Sequence, residues 1–388
     1  MMISIEQAAD IIQSQNVQRS ITERLIEESL GCWLAEEIIS PFDLPSFDNS
    51  AMDGYAVSGN SKSYRIVGEI QAGDTSVKKL RDGEAMRIFT GAKIPVNATA
   101  VVMQEKTRVE DDRLFVDDKV SEGQHIRRRG NELSSGQSVF EPGHLISPAS
   151  IGMIGSLGYN TVKVFQKPSV RIISTGNELV PPGDTKELGQ IYESNSYALQ
   201  SALESYGFNC EGKNHIKDDF SAIKQGIAAF LESSDVLLIS GGISVGDYDF
   251  VKQALEENGV QELFYKVFQK PGKPLYFGRR DNTFVFALPG NPASSLTCFY
   301  IHVLPLLQRI SGAENSGLKQ LKLPIDHEYD NRSDRPVFLK ALIQNGYVSI
   351  LNHQSSSMIH SMAMGNALVF LNEPGSIGKG KHVQTILI

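Results

Sequence analysis

Cysteine is scarce in this chain: three residues in 388, Cys32, Cys210 and Cys298, all isolated and with no CxxC pair. That spacing excludes a disulfide framework and a thiolate zinc site, and it predicts reduced, buried thiols in a cytosolic enzyme. The eight histidines are scattered without an HExxH spacing, which argues against a histidine-ligated transition metal. No run of about 18 apolar residues occurs, so a membrane-spanning helix is not expected. The opening stretch MMISIEQAADII lacks a basic start followed by an apolar core, so it does not read as a signal peptide and a cytoplasmic location is expected. Basic charge is in deficit too, with 37 Lys and Arg against 45 Asp and Glu and a net charge of −8. Nucleic acid is therefore not an expected partner, and an anionic ligand must be held by local basic groups.

What is present is an ordinary globular composition, 41% hydrophobic and 21% charged, on a chain too long for one core; about two to four domains are expected. Residues 5–15 and 21–38 predict two helices, the second carrying Ile21, Leu25 and Leu30 on a rough helical period. From Pro41 to about Val139, short β-like runs at 65–70, 84–89, 100–104 and 113–116 are separated by Gly, Asp and Pro, which predicts a small β domain. Ser147-Pro148 opens a further helix bearing Ile151, Ile154 and Leu157 and stopping at Gly158. The β-rich segment thus reads as an insertion (45–139) between two pieces of a helical domain (1–44 and 140–168). Residues 169–311 alternate apolar strands (170–174, 209–216, 236–239, 262–268, 274–278, 283–288) with helices at 196–207, 219–232 and from Pro292, the pattern of a doubly wound α/β sheet. Residues 312–388 return to short strands and predict a C-terminal β domain.

In a doubly wound sheet, ligands sit beyond the carboxyl ends of the strands. Here those ends run into loops rich in Gly, Ser and acids. Strand 170–174 enters STGNELVPPGD, with Asn177 and Glu178. Strand 236–239 enters SGGISVGDYDF, where Gly241 and Gly242 let backbone N–H groups approach an anion and Asp247 or Asp249 stands at the next helix start. Strand 262–268 leads to KPGKP with Lys270 and Lys273, and strand 283–288 to LPGNPASS, where Ser294 or Ser295 sits at a helix N-terminus. Glycine, aspartate and proline are also ordinary turn residues, so one SGG turn by itself points to a turn. Four such loops on one sheet edge point to a site equipped for a magnesium-bound phosphoanhydride. In the N-terminal half, FDNSAMDGYAV and IFTGAKIP read equally as tight turns, and Arg127, Arg128 and Arg129 as either an anion site or a solvated basic patch.

The stretches SFDNSAMDGYAV (46–57), FTGAKIP (89–95), IRRRGNEL (126–133), STGNEL (174–179), GQIYESN (189–195), SGGISVGDYDFV (240–251), KPGKPLYFG (270–278) and LPGNPASS (288–295) resemble, in order, the motifs of the MoeA family of molybdopterin molybdenumtransferases. That family is similar to the E domain of gephyrin. The likeness covers most of the chain and weakens after residue 312. It implies a MoaB/Mog-like α/β domain, a β-barrel-like C-terminal domain and an elongated, four-domain homodimer whose site lies in a cleft shared between subunits. The implied reaction inserts molybdate into adenylylated molybdopterin delivered by an upstream adenylyltransferase, and releases AMP and molybdenum cofactor with Mg2+ required.

By motif, the resemblance assigns Asp53 and Thr90 to the cleft wall, and Arg128 and Glu132 to the basic and acidic positions of the arginine segment. It assigns Glu178, Asp218 and Asp249 to the nucleotide and magnesium, with Gly241, Gly242 and Ser244 in the glycine turn against the substrate. Lys266, Lys270 and Lys273 match basic positions near phosphates and molybdate, Lys270 stabilising charge on the departing group. Pro289 and Pro292 shape the last loop and Ser294 lies in its oxyanion part. In the C-terminal domain, Arg335 of DRPVFLK and Ser357 are molybdate candidates. Asn131 and Asn177 stand where many relatives carry acids, and Glu193 replaces an aspartate. Two rival readings are weaker. Adenylyl transfer onto the pterin needs only the α/β domain, whereas 168 residues precede Ser169 here. Pure scaffolding does not account for the acidic and basic loop residues.

Overall fold

A computed structural model of the chain describes residues 2–243 and 250–388. It divides into two compact units, one comprising 1–35, 143–147 and 161–388, the other 36–142 and 148–160.

In the first unit the chain begins with the helix Ile5–Ser14, set by a capping box in which Ser4 Oγ accepts from Gln7 N–H (3.1 Å) and Gln7 Oε1 accepts from Ser4 N–H (2.9 Å). The helix expected over 21–38 does not form. Residues Ile21–Leu25 are instead a strand, paired antiparallel with Thr161–Phe165, followed by one 3-10 turn, Ile26–Glu28. The apolar residues that suggested a helical stripe are exposed, Ile21 at 56%, Leu25 at 43% and Leu30 at 55%, so a helix would have had no face to bury. A partner strand whose Val162 and Val164 are buried supplies the backbone bonds instead, a tertiary choice that overrides local periodicity. The part of the chain expected to be a helical domain therefore carries only two helices, Ile5–Ser14 and Pro148–Ser156.

The centre of this unit is a six-stranded mixed sheet in the order Cys210–Ile216, Val170–Thr175, Val236–Ser240, Thr283–Leu288, Tyr276–Arg280, Gln261–Tyr265. The first four strands are parallel; Tyr276–Arg280 is antiparallel to both its neighbours, so Gln261–Tyr265 runs in the direction of the first four. Both faces are covered, which is why Val236–Ser240 is apolar at nearly every position and wholly buried. On one face Ile172, Leu238 and Phe286 pack against Leu199 and Leu203 of helix Asn195–Ser205 and against Leu296 of helix Pro292–Cys298. On the other, Ile173, Leu237, Ile239 and Val285 pack against Ile223 and Ile227 of helix Phe220–Leu231 and Val251 and Leu255 of helix Phe250–Glu257. The long helix expected from Pro292 continues through a widened π segment, Phe299–Val303, into Leu304–Ile310. The widening stands just before Pro305, whose missing N–H removes a helical rung.

Helix Phe220–Leu231 begins at Asp219, whose carboxylate accepts from Ala222 N–H at 2.8 Å. Asp219→Ala is expected to lower unfolding free energy by about 1 kcal/mol, seen as a reduced denaturant midpoint at unchanged slope.

The C-terminal segment forms a five-stranded antiparallel sheet ordered Gln320–Pro324, His382–Leu387, Ala367–Leu371, Val337–Gln344, Tyr347–Ile350. A bridge between Ile325 and Val348 joins its two ends, which curls the sheet into a barrel-like form around Ile325, Leu339, Val348 and Val369. Phe338, Leu368 and Ile386 face the other way and join the α/β core, so the two parts share one hydrophobic interior. The second unit is built on a six-stranded sheet, Ala100–Met103, Gly54–Val57, Glu84–Ile88, Ser63–Ile70, Arg113–Val116, Thr107–Glu110. Among the described residues no helix is long and apolar enough to cross a membrane.

Candidate functional site: two adjoining cavities at the strand ends

Register sets the site. Ser174, Ser240 and Leu288 lie level across three parallel strands, so the loops after them open at one sheet edge, joined by the loop after Ile216, which pairs with Thr175. A cavity of about 640 Å³ lies there, lined by Thr175, Glu178, Asn195, Asp218, Gly241, Gly242 and their loop neighbours, with Ser357 from the C-terminal part. A second cavity of about 510 Å³ is lined by Lys270, Lys273, Ser294, Arg335, Gln354, Ser355 and Ser356. Pro274, Pro289 and Asn291 line both, so the two adjoin. Both are lined wholly by residues of the first unit.

In the larger cavity the glycine turn comes within a bond's reach of its neighbours. Gly241 sits at φ +97°, and a Cβ there would lie 2.6 Å from Thr175 O. At Gly242, φ +61°, a Cβ would lie 2.6 Å from Val251 Cγ2. Only glycine fits this turn, and the absence of side chains leaves the backbone open to a ligand. Two buried acceptors at this cavity, Thr175 Oγ1 and Asn195 Oδ1, have no hydrogen-bond partner among the described residues. The amide of Asn195 is otherwise fully used, its Nδ2 donating to Ser240 Oγ and Gly290 O at 2.8 Å each. A buried acceptor left without a donor costs about 1–3 kcal/mol.

The sequence departures acquire local roles. Asn177 N–H donates to Asp218 Oδ2 (3.2 Å) and Asp218 N–H donates to Asn177 Oδ1 (3.1 Å), so the amide clips two loops together where a second acid would repel Asp218. Glu193 is buried and turns back on its own chain: Ser196 N–H donates to it at 2.8 Å and Ser196 Oγ donates to its other oxygen. It caps helix Asn195–Ser205, whose Ser194 supplies no side-chain cap. Asn131 N–H donates to Arg128 O within a turn.

The basic cavity is assembled from two distant stretches. Lys270 N–H donates to Pro336 O (2.9 Å) and Phe338 N–H to Lys270 O (2.8 Å), which stitches the KPGKP loop to the DRPVF segment. Gln269, which the sequence did not single out, braces the loop from inside: its Nε2 donates to Gly272 O (3.2 Å) and its backbone oxygen accepts from Arg335 Nη1 (3.2 Å). Its Oε1 then serves as acceptor for His302 Nε2 at 2.8 Å, the ring being held neutral because burial pushes its pKa down to about 4. Ser355 and Ser356 were likewise not singled out, although the run Ser355-Ser356-Ser357 beside the proposed Ser357 was a visible signal.

Other expected residues are placed elsewhere. Lys266 lines neither cavity; it sits at φ +71° with its ammonium 4.7 Å over the Tyr265 ring. Ser244, Asp247 and Asp249 lie outside the described residues. In the second unit Thr90 donates to Asp53 Oδ1 through both its N–H and its hydroxyl, 2.7 Å each, which holds that carboxyl below its usual pKa. The arginine cluster is largely a structural brace: Arg128 pairs with Asp48 at 2.7 Å and Arg129 with Asp43 at 2.6 Å. Glu132 is exposed in the same segment, its N–H bonded to Leu44 O.

Among the described residues no three His, Cys, Asp or Glu side chains converge as a metal site. Magnesium needs less than that, since it keeps several waters and is commonly held by one or two carboxylates plus substrate phosphates. Glu178 and Asp218, hard oxygen donors lining one cavity, fit that requirement.

A glycine turn, two carboxylates and an adjoining basic pocket lie at the carboxyl edge of a mixed sheet, the place where α/β proteins bind their ligands. Residues 171–309 match the family described as probable molybdopterin binding domain, and residues 3–158 match the MoeA N-terminal region (domain I and II). The molybdopterin molybdenumtransferase of Haemophilus influenzae is 36% identical, covering 83% of this chain and 80% of its own. That of Staphylococcus aureus is 31% identical, covering 97% and 93%. Two crystal structures of the molybdopterin biosynthesis MoeA protein from Pyrococcus horikoshii superpose over the whole chain, with TM-scores of 0.85 at 27% identity and 0.82 at 30%, covering 100% and 99% of their own lengths. The chain belongs to the MoeA family of molybdopterin molybdenumtransferases, transferases of molybdenum cofactor biosynthesis.

Proposed function

We propose that the chain transfers molybdenum from molybdate to adenylylated molybdopterin, with release of AMP. The observation that carries this reading is the adjacency of the two cavities, one with carboxylates and a glycine turn, the other with Lys270, Lys273 and Arg335. The glycine turn meets the phosphates of the heterocyclic substrate. Lys270, Lys273, Arg335 and the Ser294 hydroxyl hold molybdate, a tetrahedral dianion, without forming permanent bonds to it. Glu178, Asp218 and Asp249 would hold Mg2+, which would supply charge neutralisation at the phosphoanhydride. Lys270 stabilises negative charge as the adenylate departs. By family motif, Asp53 and Thr90 belong to the cleft wall of the same reaction in a homodimer and Arg128 and Glu132 bind its substrate, which an adenylyltransferase upstream provides in the cytoplasm.

The experiment is release of AMP from adenylylated molybdopterin with and without molybdate, at fixed Mg2+. Molybdate is expected to accelerate release at least tenfold, and chelation of Mg2+ to abolish it. Equal release without molybdate sinks the reading.

A further inference from the structure

Lys340 lies in strand Val337–Gln344 and is 4% exposed, yet among the described residues no carboxylate pairs with it. Its ammonium donates instead to three backbone oxygens, those of His353 (2.8 Å), Ser355 (3.0 Å) and Met358 (2.9 Å). Three protons meet three acceptors, so the group is saturated as a donor while its charge rests on carbonyl dipoles alone. The same segment grips the strand from both sides. Lys340 N–H donates to Gln354 Oε1, and Gln354 Nε2 donates back to Lys340 O, each at 2.9 Å. His353 adopts φ +63°, which brings its carbonyl round to the cation; residues 353–358 have no regular secondary structure of their own. Burying a cation is costly, and apolar residues fill interior positions more cheaply. The lysine here makes three bonds to backbone oxygens that an apolar side chain cannot make.

The segment wrapped on that cation carries Ser355 and Ser356 into the basic cavity and Ser357 into the larger one. It is tied across to the LPGNPASS loop: Asn291 Nδ2 donates to Ser356 Oγ (3.0 Å) and Ala293 N–H to Ser356 O (3.1 Å). Wall and anchor are thus one structure.

We infer that Lys340 is a positioning residue, whose ammonium gathers the carbonyls of 353–358 and so presets the serines that wall the oxyanion cavity. It touches neither cavity itself and acts through the segment it holds. The inference rests on the proposed reading for the identity of the oxyanion, and on geometry alone for the role of the lysine.

Three measurements on the full-length chain test it: molybdate binding by titration calorimetry, the molybdate concentration for half-maximal AMP release, and amide hydrogen exchange of 353–358. Lys340→Met is expected to weaken molybdate binding and raise the half-saturating concentration by about tenfold, the loss of roughly one charge-assisted bond's worth of order. Turnover at saturating molybdate changes less than about threefold, because the groups that bear charge in the reaction remain. Exchange of the 355–358 amides accelerates while the barrel strands keep their protection. Lys340→Arg, cationic and many-donored, restores all three. Should the methionine variant fail to fold, Lys340→Gln, neutral but still a donor, carries the same comparison. Unchanged binding and exchange in the neutral variant overturn the inference, as does a uniform loss of protection that arginine fails to repair. If the wild-type chain shows no molybdate-dependent release, the functional reading has failed, and calorimetry and exchange still decide the role of Lys340.

Discussion

Lys273→Ala is expected to lower kcat/KM for molybdate-dependent AMP release by about 10²–10³, the usual effect of removing one donor from a preorganised oxyanion site. The chain as a whole repels an oxyanion, with a net charge of −8, so capture depends on the few cations around one cavity. Lys273 stands there with Lys270 and Arg335. It is exposed, and its backbone oxygen, which accepts from Val267 and Leu275 N–H groups, is unaffected by truncation of the side chain. Unfolding free energy should therefore stay within about 0.5 kcal/mol of the parent, separating loss of charge from loss of structure. Lys273→Arg is expected to recover most of the rate. Near-normal molybdate dependence in the alanine variant would remove this cavity from the reaction. Arg335→Ala makes a less clean test, because Arg335 also donates to the backbone of Gln269 and so helps set the loop.

Gly241→Val is expected to abolish binding of the adenylylated substrate, measured directly by calorimetry, and to lower stability by about 3 kcal/mol or more. Two costs combine. The residue sits at φ +97°, where a β-branched side chain is strained by about 1–3 kcal/mol. Its Cβ would also stand 2.6 Å from Thr175 O, a backbone atom of a central strand end that has no room to retreat. Gly259 separates the two effects: it has φ +76° but nothing within 4 Å of a Cβ. Gly259→Ala should cost only about 1–2 kcal/mol and leave substrate binding intact. A Gly241→Val protein that binds substrate normally would show that the turn does not approach the ligand.

Much of the α/β part was legible from the chain alone. Residues 236–239 read as a doubly covered strand because they are apolar throughout, and they are buried; helices such as Phe220–Leu231 announce themselves by a one-sided apolar face. Both are local signals, and here the tertiary environment agrees with them. The loops with Glu178, Gly241, Lys273 and Ser294 were legible for the same reason: chemistry-bearing residues directly follow recognisable strands.

Where long-range pairing competes with local pattern, the sequence misleads or is silent. Ile21, Leu25 and Leu30 suggest a helix, but the partner strand of Ile21–Leu25 lies at Thr161–Phe165, about 140 residues away, and no periodicity encodes that meeting. The cluster of three arginines gives no sign of its acidic partners Asp48 and Asp43, which lie 80 and 86 residues earlier in the chain. Glu193 stands in the motif for an aspartate, and only the structure shows its carboxylate capping its own helix. The sequence by itself determined the strand-end loops and, through the resemblance of its motifs, the family and a list of charged candidates, since each depends on residues close in the chain. Only the tertiary structure decided which of them meet, because the basic cavity requires 269–274, 335 and 354–356 to be joined across a shared hydrophobic interior, and burial, not sequence distance, sets that contact.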